Sequence, residues 1–458
     1  MCHGDRQIEH KVDRRIGDER ADLHRPDAEI RGAARGRIRV YVGAGDNLDA
    51  AEQRGIAQVG HRDIAAADDA DPQARFPGVR HDPELTFALR EEKRWTYLRN
   101  APLFGGVEIV ACADINPDAA THRAADFGIR ALEVGALIAD RAVDLVLNLT
   151  IPAAHFDISM AALSAGKHVF TEKPLAVEAE AGRTLVAAAA ARSLALGSAP
   201  DTFLGAAGRL ARRLMEQGRI GMPVTGTAFM LGRGMEHWHP DPSFYYQTGA
   251  GPVMDMGPYY LTMMVNLMGP VRRVQAVANS GQSERLITAA GPRHGTRFKV
   301  GTPTTVLSLL EFDCGATVTF GASWDVFRHS NHPIELHGTK GSLRLPDPDN
   351  FGGVVAISDG GAEWEETDTS TMLYGAVNWP VDAPDRANYR MLGLADLSRA
   401  VIQGRAPRAS GGLALHVLEV MEAILRAAET GTAQAVPGMI KHPAELSEEE
   451  ARSLLALP

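Results

Sequence analysis

Lysine is almost absent from the first 94 residues of this 458-residue chain, where only Lys11 and Lys93 occur. Large apolar residues are sparse in the same stretch, and neither a helical stripe nor strand alternation persists through it. Such a segment buries little surface, so residues 1–94 are expected to form an atypical, disordered extension. Cysteine is scarce throughout: Cys2, Cys112 and Cys314 stand far apart. That spacing argues against a disulfide framework and offers no metal-ligand pattern. A reduced, cytoplasmic setting is the expectation. No apolar run approaches the ~20 residues of a membrane span, and the charged N-terminus shows no signal-peptide pattern. Positive charge is in deficit, with a net charge of -10, which argues against a nucleic-acid partner. What is present is ordinary for a globular chain, 45% hydrophobic and 23% charged. The length allows two or three domains.

From Tyr97 onward the texture changes. Tyr97–Phe104 reads as a helix, Val107–Cys112 as a strand, Pro117–Phe127 as a helix and Val143–Leu149 as a strand apolar on both faces. A helix over Ala153–Ala165, a strand over His168–Thr171 and an Ala-rich helix over Val177–Arg192 follow. This βαβα order predicts a parallel, doubly wound sheet. Asp114 ends the first of these strands. There an acidic side chain accepts hydrogen bonds from the adenosine ribose and repels a 2′-phosphate, which favours NAD over NADP. Its bland alternative is a helix N-cap, with Pro117 three residues on. After Pro200 the strands lengthen (Val224–Leu231, Val271–Val277, Thr304–Phe312, Ala316–Ser323, Ile334–Leu345) and glycine-containing hairpin turns join them. An open, mostly antiparallel sheet with helices is expected, closed by helices near Met391–Gln403 and Leu413–Glu429. The polar tail after Pro437 is expected to be loosely held.

A dinucleotide-binding unit also needs a first strand and a glycine-rich turn. Directly before Tyr97 stand Leu89 to Arg94, which contain no glycine. "LTFAL", Leu85–Leu89, is a candidate first strand. The other candidate is "RIRVYVGAGD", in which Gly43-Ala44-Gly45 follows a strand-like run; it would make residues 46–94 an insertion. A lone Gly-x-Gly is weak evidence. The composition break at Arg94 reads as a shifted reading frame or a misplaced start joined to the rest of the chain.

The densest chemical signal is "AGKHVFTEKPLAV", Ala165 to Val177. A strand there delivers Glu172-Lys173-Pro174 at its carboxyl end, where ligands of open parallel sheets bind. The residue before a proline is held extended, so Lys173 is aimed; the alternative is a surface lysine in a turn. "GRGMEHWHPDPSFYY" places His237, Trp238, His239 and Asp241 together. A His-x-His-x-Asp spacing suits a metal on a strand, but Pro240 and Pro242 argue for a loop, and no metal is expected.

These stretches resemble the glucose-fructose oxidoreductase/inositol dehydrogenase/rhizopine catabolism family. Ala-Gly-Lys-His-Val leading into Glu-Lys-Pro is similar to its signature, "LNLTIPAAH" (Leu147–His155) to its Thr-x-Pro-x-x-His segment, and "GAGPVMDMGPYYLTMMVNLMGPV" (Gly249–Val271) to its second signature. The resemblance spans about Tyr97 to Val436. It implies that Lys173 is the catalytic lysine and Asp255 the acidic residue of the second motif. Tyr259 stands where many members have His, and Thr262 where the motif's last Asp would be. Core packing is the other reading of Tyr259 and its neighbour Tyr260. Thr150, Pro152, His155, Glu172 and Lys173 resemble the nicotinamide-side turns, while His237, Trp238 and His239 correspond to a substrate-lining loop.

The expected domains are a dinucleotide-binding, Rossmann-type unit over 95–199 and an α/β substrate and oligomerisation unit over 200–458. The expected function is an NAD-dependent oxidoreductase, with NADP disfavoured, acting on a sugar, polyol or related hydroxy compound as a homo-oligomer. The competing expectation is a cofactor-deficient, non-catalytic sugar-binding or scaffold protein, grounded on the missing glycine turn.

Overall fold

The computed structural model describes residues 38–44, 96–361, 363–378, 386–438 and 440–456. Six parallel strands form the first sheet: β1 (Ile38–Ala44), β2 (Val107–Ala113), β3 (Arg130–Ala131), β4 (Leu145–Leu149), β5 (His168–Thr171) and β6 (Leu196–Ser198), in the order β3-β2-β1-β4-β5-β6. The order reverses at β1, as a doubly wound sheet requires. Ile38, Val40 and Val42 join Leu145, Leu147 and Leu149 in one core. Tyr41 points to the other face, beside Val146 and Val169. Helices α1 (Pro117–Phe127), α2 (Val134–Ala139), α3 (Pro152–Ser164) and α4 (Ala179–Ala191) connect the strands.

The first strand is therefore present, and it is Ile38–Ala44. It lies in the second of the two candidate runs, "RIRVYVGAGD", so the sheet has a normal first strand. β1 pairs in parallel with β2 on one edge and β4 on the other, so neither edge is left for Leu85–Leu89. That segment, the turn at Leu89–Arg94 and the rest of the extension expected to be disordered lie outside the described residues.

The second sheet has nine strands. They are β7 (Pro223–Leu231), β8 (Val271–Asn279), β11 (Thr305–Phe312), β12 (Thr317–Ser323), β13 (Ile334–Gly338), β14 (Ser342–Leu345), β15 (Val354–Ser358), β16 (Glu365–Asp368) and β17 (Gln434–Ala435), with β9 (Glu284–Leu286) and β10 (Arg297–Lys299) forming a separate hairpin. Its pairs are antiparallel except β7 with β12. Helix α5 (Ala206–Glu216) leads into this half, and α6 (Pro252–Met268), buried along almost its whole length, packs on β7, β11 and β12 and beside α8 (Gly411–Thr430), which itself lies against β8. Helix α7 (Leu392–Gln403) precedes α8.

The chain's end is held rather than loose. Helix α9 (Glu448–Ser453) starts in a capping box between Ser447 and Glu450. Buried Arg209 binds Glu448 and donates to the Leu446 carbonyl, and Leu446 and Ala451 are buried. No described helix is long and apolar enough to cross a membrane.

Candidate functional site

Strand β5 ends at Thr171 and projects Glu172 and Lys173 beyond the sheet. Glu172 is clamped: its backbone N–H donates to the Asn148 carbonyl at 2.8 Å. One carboxylate oxygen accepts from the Tyr97 hydroxyl at 3.0 Å and the other from the Lys173 N–H at 2.9 Å. The Lys173–Pro174 peptide is cis. The Lys173 ammonium donates to the carboxylate of Asp255 at 2.9 Å and to its carbonyl at 2.5 Å. Burial alone lowers a lysine, but Asp255, with Tyr259 and Glu172, outweighs it and holds Lys173 above its ordinary value, firmly protonated.

Helix α6 supplies the partners. Asp255 and Tyr259 stand four residues apart and therefore share a face. The Tyr259 ring centroid lies 5.4 Å from the Lys173 nitrogen, so its burial belongs to this cluster. Tyr260 turns away and packs against Phe320, 6.2 Å between centroids. Thr262, where the motif's last carboxylate would stand, is buried.

The turn after β4 is tied to the turn after β5. Asn148 accepts from the Thr150 N–H and hydroxyl and donates to the His155 carbonyl and the Ser159 hydroxyl. The His155 ring bridges two carbonyl oxygens, Pro174 at 2.6 Å from Nδ1 and Thr150 at 2.8 Å from Nε2. His155 thus braces the cleft from behind. Pro152 is the first residue of α3.

Asp114 follows the carboxyl end of β2, whose Ala113 is in register with Gly43 of β1. Its carboxylate accepts from the Asn116 N–H at 2.9 Å. The α1 cap is Asn116, which accepts from Asp118 and Ala119, so the N-cap alternative for Asp114 does not hold. With the carboxyl ends of β1, β2 and β4 adjacent and an acidic side chain beyond β2, these residues fit a dinucleotide.

His237 ends a short 3₁₀ turn and bonds the Gly234 carbonyl through Nδ1. Trp238, His239 and Tyr245 form an edge-to-face cluster, with centroids 5.3 to 6.4 Å apart. Asp241 pairs with Arg293, and the Asp241 N–H donates to His239 Nδ1. No group of His, Cys, Asp and Glu among the described residues is arranged to hold a metal. The loop joins the site through the Gly251 N–H, which donates to the Tyr245 carbonyl at the start of α6.

Four contributors escaped the sequence reading. Glu236 pairs with buried Arg285 and anchors the aromatic loop. Asp201 accepts from the Met391 and Gly393 N–H groups. Arg390, just before α7, pairs with Asp349. Each is a single charged residue far in sequence from its partner; only the fold brings them together.

Residues 87–199 match the oxidoreductase family with an NAD-binding Rossmann fold, and residues 209–344 match the GFO/IDH/MocA C-terminal domain, together more than half of the chain. The chain is 26% identical over 249 residues to levoglucosan dehydrogenase of Pseudarthrobacter phenanthrenivorans, covering 50% of this chain and 63% of that protein. It is 26% identical over 337 residues to 1,5-anhydro-D-fructose reductase of Ensifer adhaerens, covering 72% of this chain and 92% of the relative. The solved structure of levoglucosan dehydrogenase in complex with NADH superposes with a TM-score of 0.64 at 21% identity, over 88% of this chain and 100% of that one. That likeness shows the fold.

Proposed function

Because the chain belongs to the GFO/IDH/MocA family of NAD-binding oxidoreductases, we propose that it is a dehydrogenase or reductase of a sugar, polyol or similar hydroxy compound, using NAD in preference to NADP. The observation that carries this reading is the Lys173–Asp255–Tyr259 cluster at the carboxyl end of β5. Nicotinamide, when bound, supplies the acceptor or donor of the hydride. The chain's residues handle the proton and the charge. Lys173 has three N–H groups; two are engaged by Asp255, and the third is directed at a substrate oxygen, where it stabilises a developing alkoxide. Tyr259 takes or returns the proton of the substrate hydroxyl. Asp255 aims the lysine and keeps it charged. Glu172 and His155 fix the two turns around it, and Thr150 and Pro152 flank the nicotinamide side. Asp114 faces the ribose and disfavours a 2′-phosphate.

The sugar reading is supported by the aromatic and polar wall of His237, Trp238 and His239, and by relatives named for levoglucosan, 1,5-anhydro-D-fructose and inositol. The non-catalytic alternative rested on the missing glycine turn; the relatives named as dehydrogenases and reductases favour the enzyme reading, and β1 supplies the strand such a turn would follow. Gly43 and Ala44 at its end make "GAG" the candidate phosphate turn. The cofactor half then comprises β1 with residues 96–199, and the substrate half begins at residue 200. Exposed Val277, Leu307 and Leu309 on the second sheet offer an apolar face for a second copy, a state that light scattering reads directly.

The test is a cofactor-linked assay over a panel including levoglucosan, 1,5-anhydro-D-fructose and myo-inositol, with the parent and Lys173→Met. Turnover on the accepted compound should fall by roughly 10²–10⁴ in the variant. A variant that keeps more than half of the parent rate removes Lys173 from the mechanism.

A further inference from the structure

A relay of side chains fastens the aromatic loop to the second sheet. Asp325, just past β12, accepts from the Thr304 and Thr305 hydroxyls at 2.6 and 2.7 Å. It also pairs with Arg285 of β9. The same guanidinium donates to the Glu236 carboxylate at 2.7 Å, using a different nitrogen for each partner. Arg285 is 5% exposed. Glu236 accepts in turn from the Tyr246 hydroxyl at 2.6 Å, and that hydroxyl oxygen accepts from the Met235 N–H at 3.0 Å. The Met235 carbonyl then takes the N–H groups of Trp238 and His239, at 3.2 and 2.8 Å. The Glu236 carbonyl accepts from the Thr288 and Ala289 N–H groups, which follow β9. A Cβ on Gly234 would collide with the Tyr246 hydroxyl and the Glu236 carboxylate, so the chain approaches this closely only as glycine. One end of the relay is the sheet; the other is the backbone of the aromatic wall.

We propose that Glu236 and Arg285 are positioning residues for the His237–Trp238–His239 wall, and that through it they set which hydroxy compound is accepted. This rests on the substrate-lining reading of that wall. The argument is one of charge and reach. Two carboxylates, Glu236 and Asp325, face one guanidinium. Arginine presents its donors in a planar fork and holds two acceptors at once, whereas lysine is a single point charge. Burial alone would raise both carboxyls. The Tyr246 hydroxyl and Arg285 hold Glu236 below its ordinary value, and the Thr304 and Thr305 hydroxyls with Arg285 do the same for Asp325. A carboxylate left unpaired there would be costly, so the place of Glu236 follows Arg285. Glu236 directly precedes His237, and its bond to Tyr246 passes through Met235 to Trp238 and His239. A substrate pressed against this wall meets groups already in place and does not have to order them. Among the described residues, none of these bonds runs to Lys173, Asp255 or the first sheet. The relay therefore acts on substrate fit and leaves cofactor binding alone.

The experiment compares the full-length parent with Arg285→Lys, Tyr246→Phe, Trp238→Ala and the Arg285→Lys/Trp238→Ala double variant. Three readouts are taken: hydrogen exchange of the 234–246 loop by mass spectrometry, which needs no turnover; kcat and KM on two accepted compounds of the panel; and NADH affinity by titration. In Arg285→Lys and Tyr246→Phe the loop should exchange about tenfold faster or more, while α6 exchanges as in the parent. KM should rise about tenfold or more with kcat changed far less. The ratio of kcat/KM between the two compounds should change about threefold or more, because a displaced wall fits one worse than the other. NADH affinity should stay within about twofold of the parent. In the Trp238→Ala background, Arg285→Lys should raise KM little further. A role in folding alone would lower the apparent kcat on both compounds alike and leave KM where it was. Parent-like exchange of the loop, an unmoved KM in both relay variants, or effects that multiply in the double variant overturns the proposal. A parent-like KM in Trp238→Ala, with the loop exchanging faster in the relay variants, would instead overturn the substrate-lining reading of the wall. Should Arg285→Lys fail to fold, Tyr246→Phe deletes one hydroxyl, leaves Arg285 with both carboxylates, and is read in the same way.

Discussion

Asp114 shows what a single carboxylate at a strand end can decide. It is not spent on capping α1, because Asn116 does that, and its position one residue past β2 suits a ribose. Asp114→Ala should weaken NADH binding about tenfold, or ~1.4 kcal/mol, and should shift the ratio of NADH to NADPH affinity toward NADPH. Fluorescence titration with the two cofactors checks this; an unchanged ratio would take Asp114 out of cofactor selection. At this scale the sequence was informative where chemistry was contiguous. Lys173, Asp255 and Tyr259 each sit inside a recognisable run, and the structure unites them. Arg390 and Asp201 were illegible because an isolated arginine or aspartate carries no period or spacing. Their meaning lies in partners across the fold: Asp349, 41 positions before Arg390, and Met391, 190 after Asp201.

Elements were legible where an uninterrupted apolar run or a helical stripe announced them, as for β4, β5 and α1. The three-residue strands β9 and β10 are too short to show alternation. β1 was hidden differently. Its run was visible, but residues 45–95 separate it from the next described helical turn, whereas βα connections are ordinarily short. An element junction also yields a pH prediction. Asp201 links the turn after β6 to the start of α7, and burial raises its carboxyl from 3.8 to about 6, against the opposing pull of the Gly393 N–H and Arg390. The folded state therefore holds the proton more tightly than the unfolded chain. The sign follows: this contribution is fully present below the unfolded value and is lost as pH rises through about 6. Asp201→Asn keeps an acceptor for α7 but cannot ionise. Relative to the parent it should gain stability between pH ~4 and ~7, by up to about 3 kcal/mol. Melting temperatures of the two proteins across that range give the answer, and a constant difference would show that Asp201 does not titrate as its burial requires.

For the molecule as a whole, the position of β1 makes the N-terminal region matter in a way its composition hides. A chain whose first 94 residues were dispensable would tolerate deletion of residues 1 to 80. The sheet order says otherwise, because β1 lies between β2 and β4 and is hydrogen-bonded along both edges. Removing it strips two strands of their partner and opens a slot through the middle of the sheet. Ile38, Val40 and Val42 are each almost wholly buried, and a side chain of that kind is worth roughly 1.5–3 kcal/mol. Three of them, with the ladder bonds, approach the ~5–15 kcal/mol that a domain has in total. Deletion of residues 1–30, which stops short of the strand, should leave the melting temperature within a few degrees of the parent. Deletion of residues 1–80 should abolish cooperative melting of the cofactor half and any binding of NADH. Circular dichroism and cofactor titration on the two truncations separate the cases. If the longer deletion melts and binds like the parent, Ile38–Ala44 is not the central strand, and the phosphate turn must be sought nearer Tyr97.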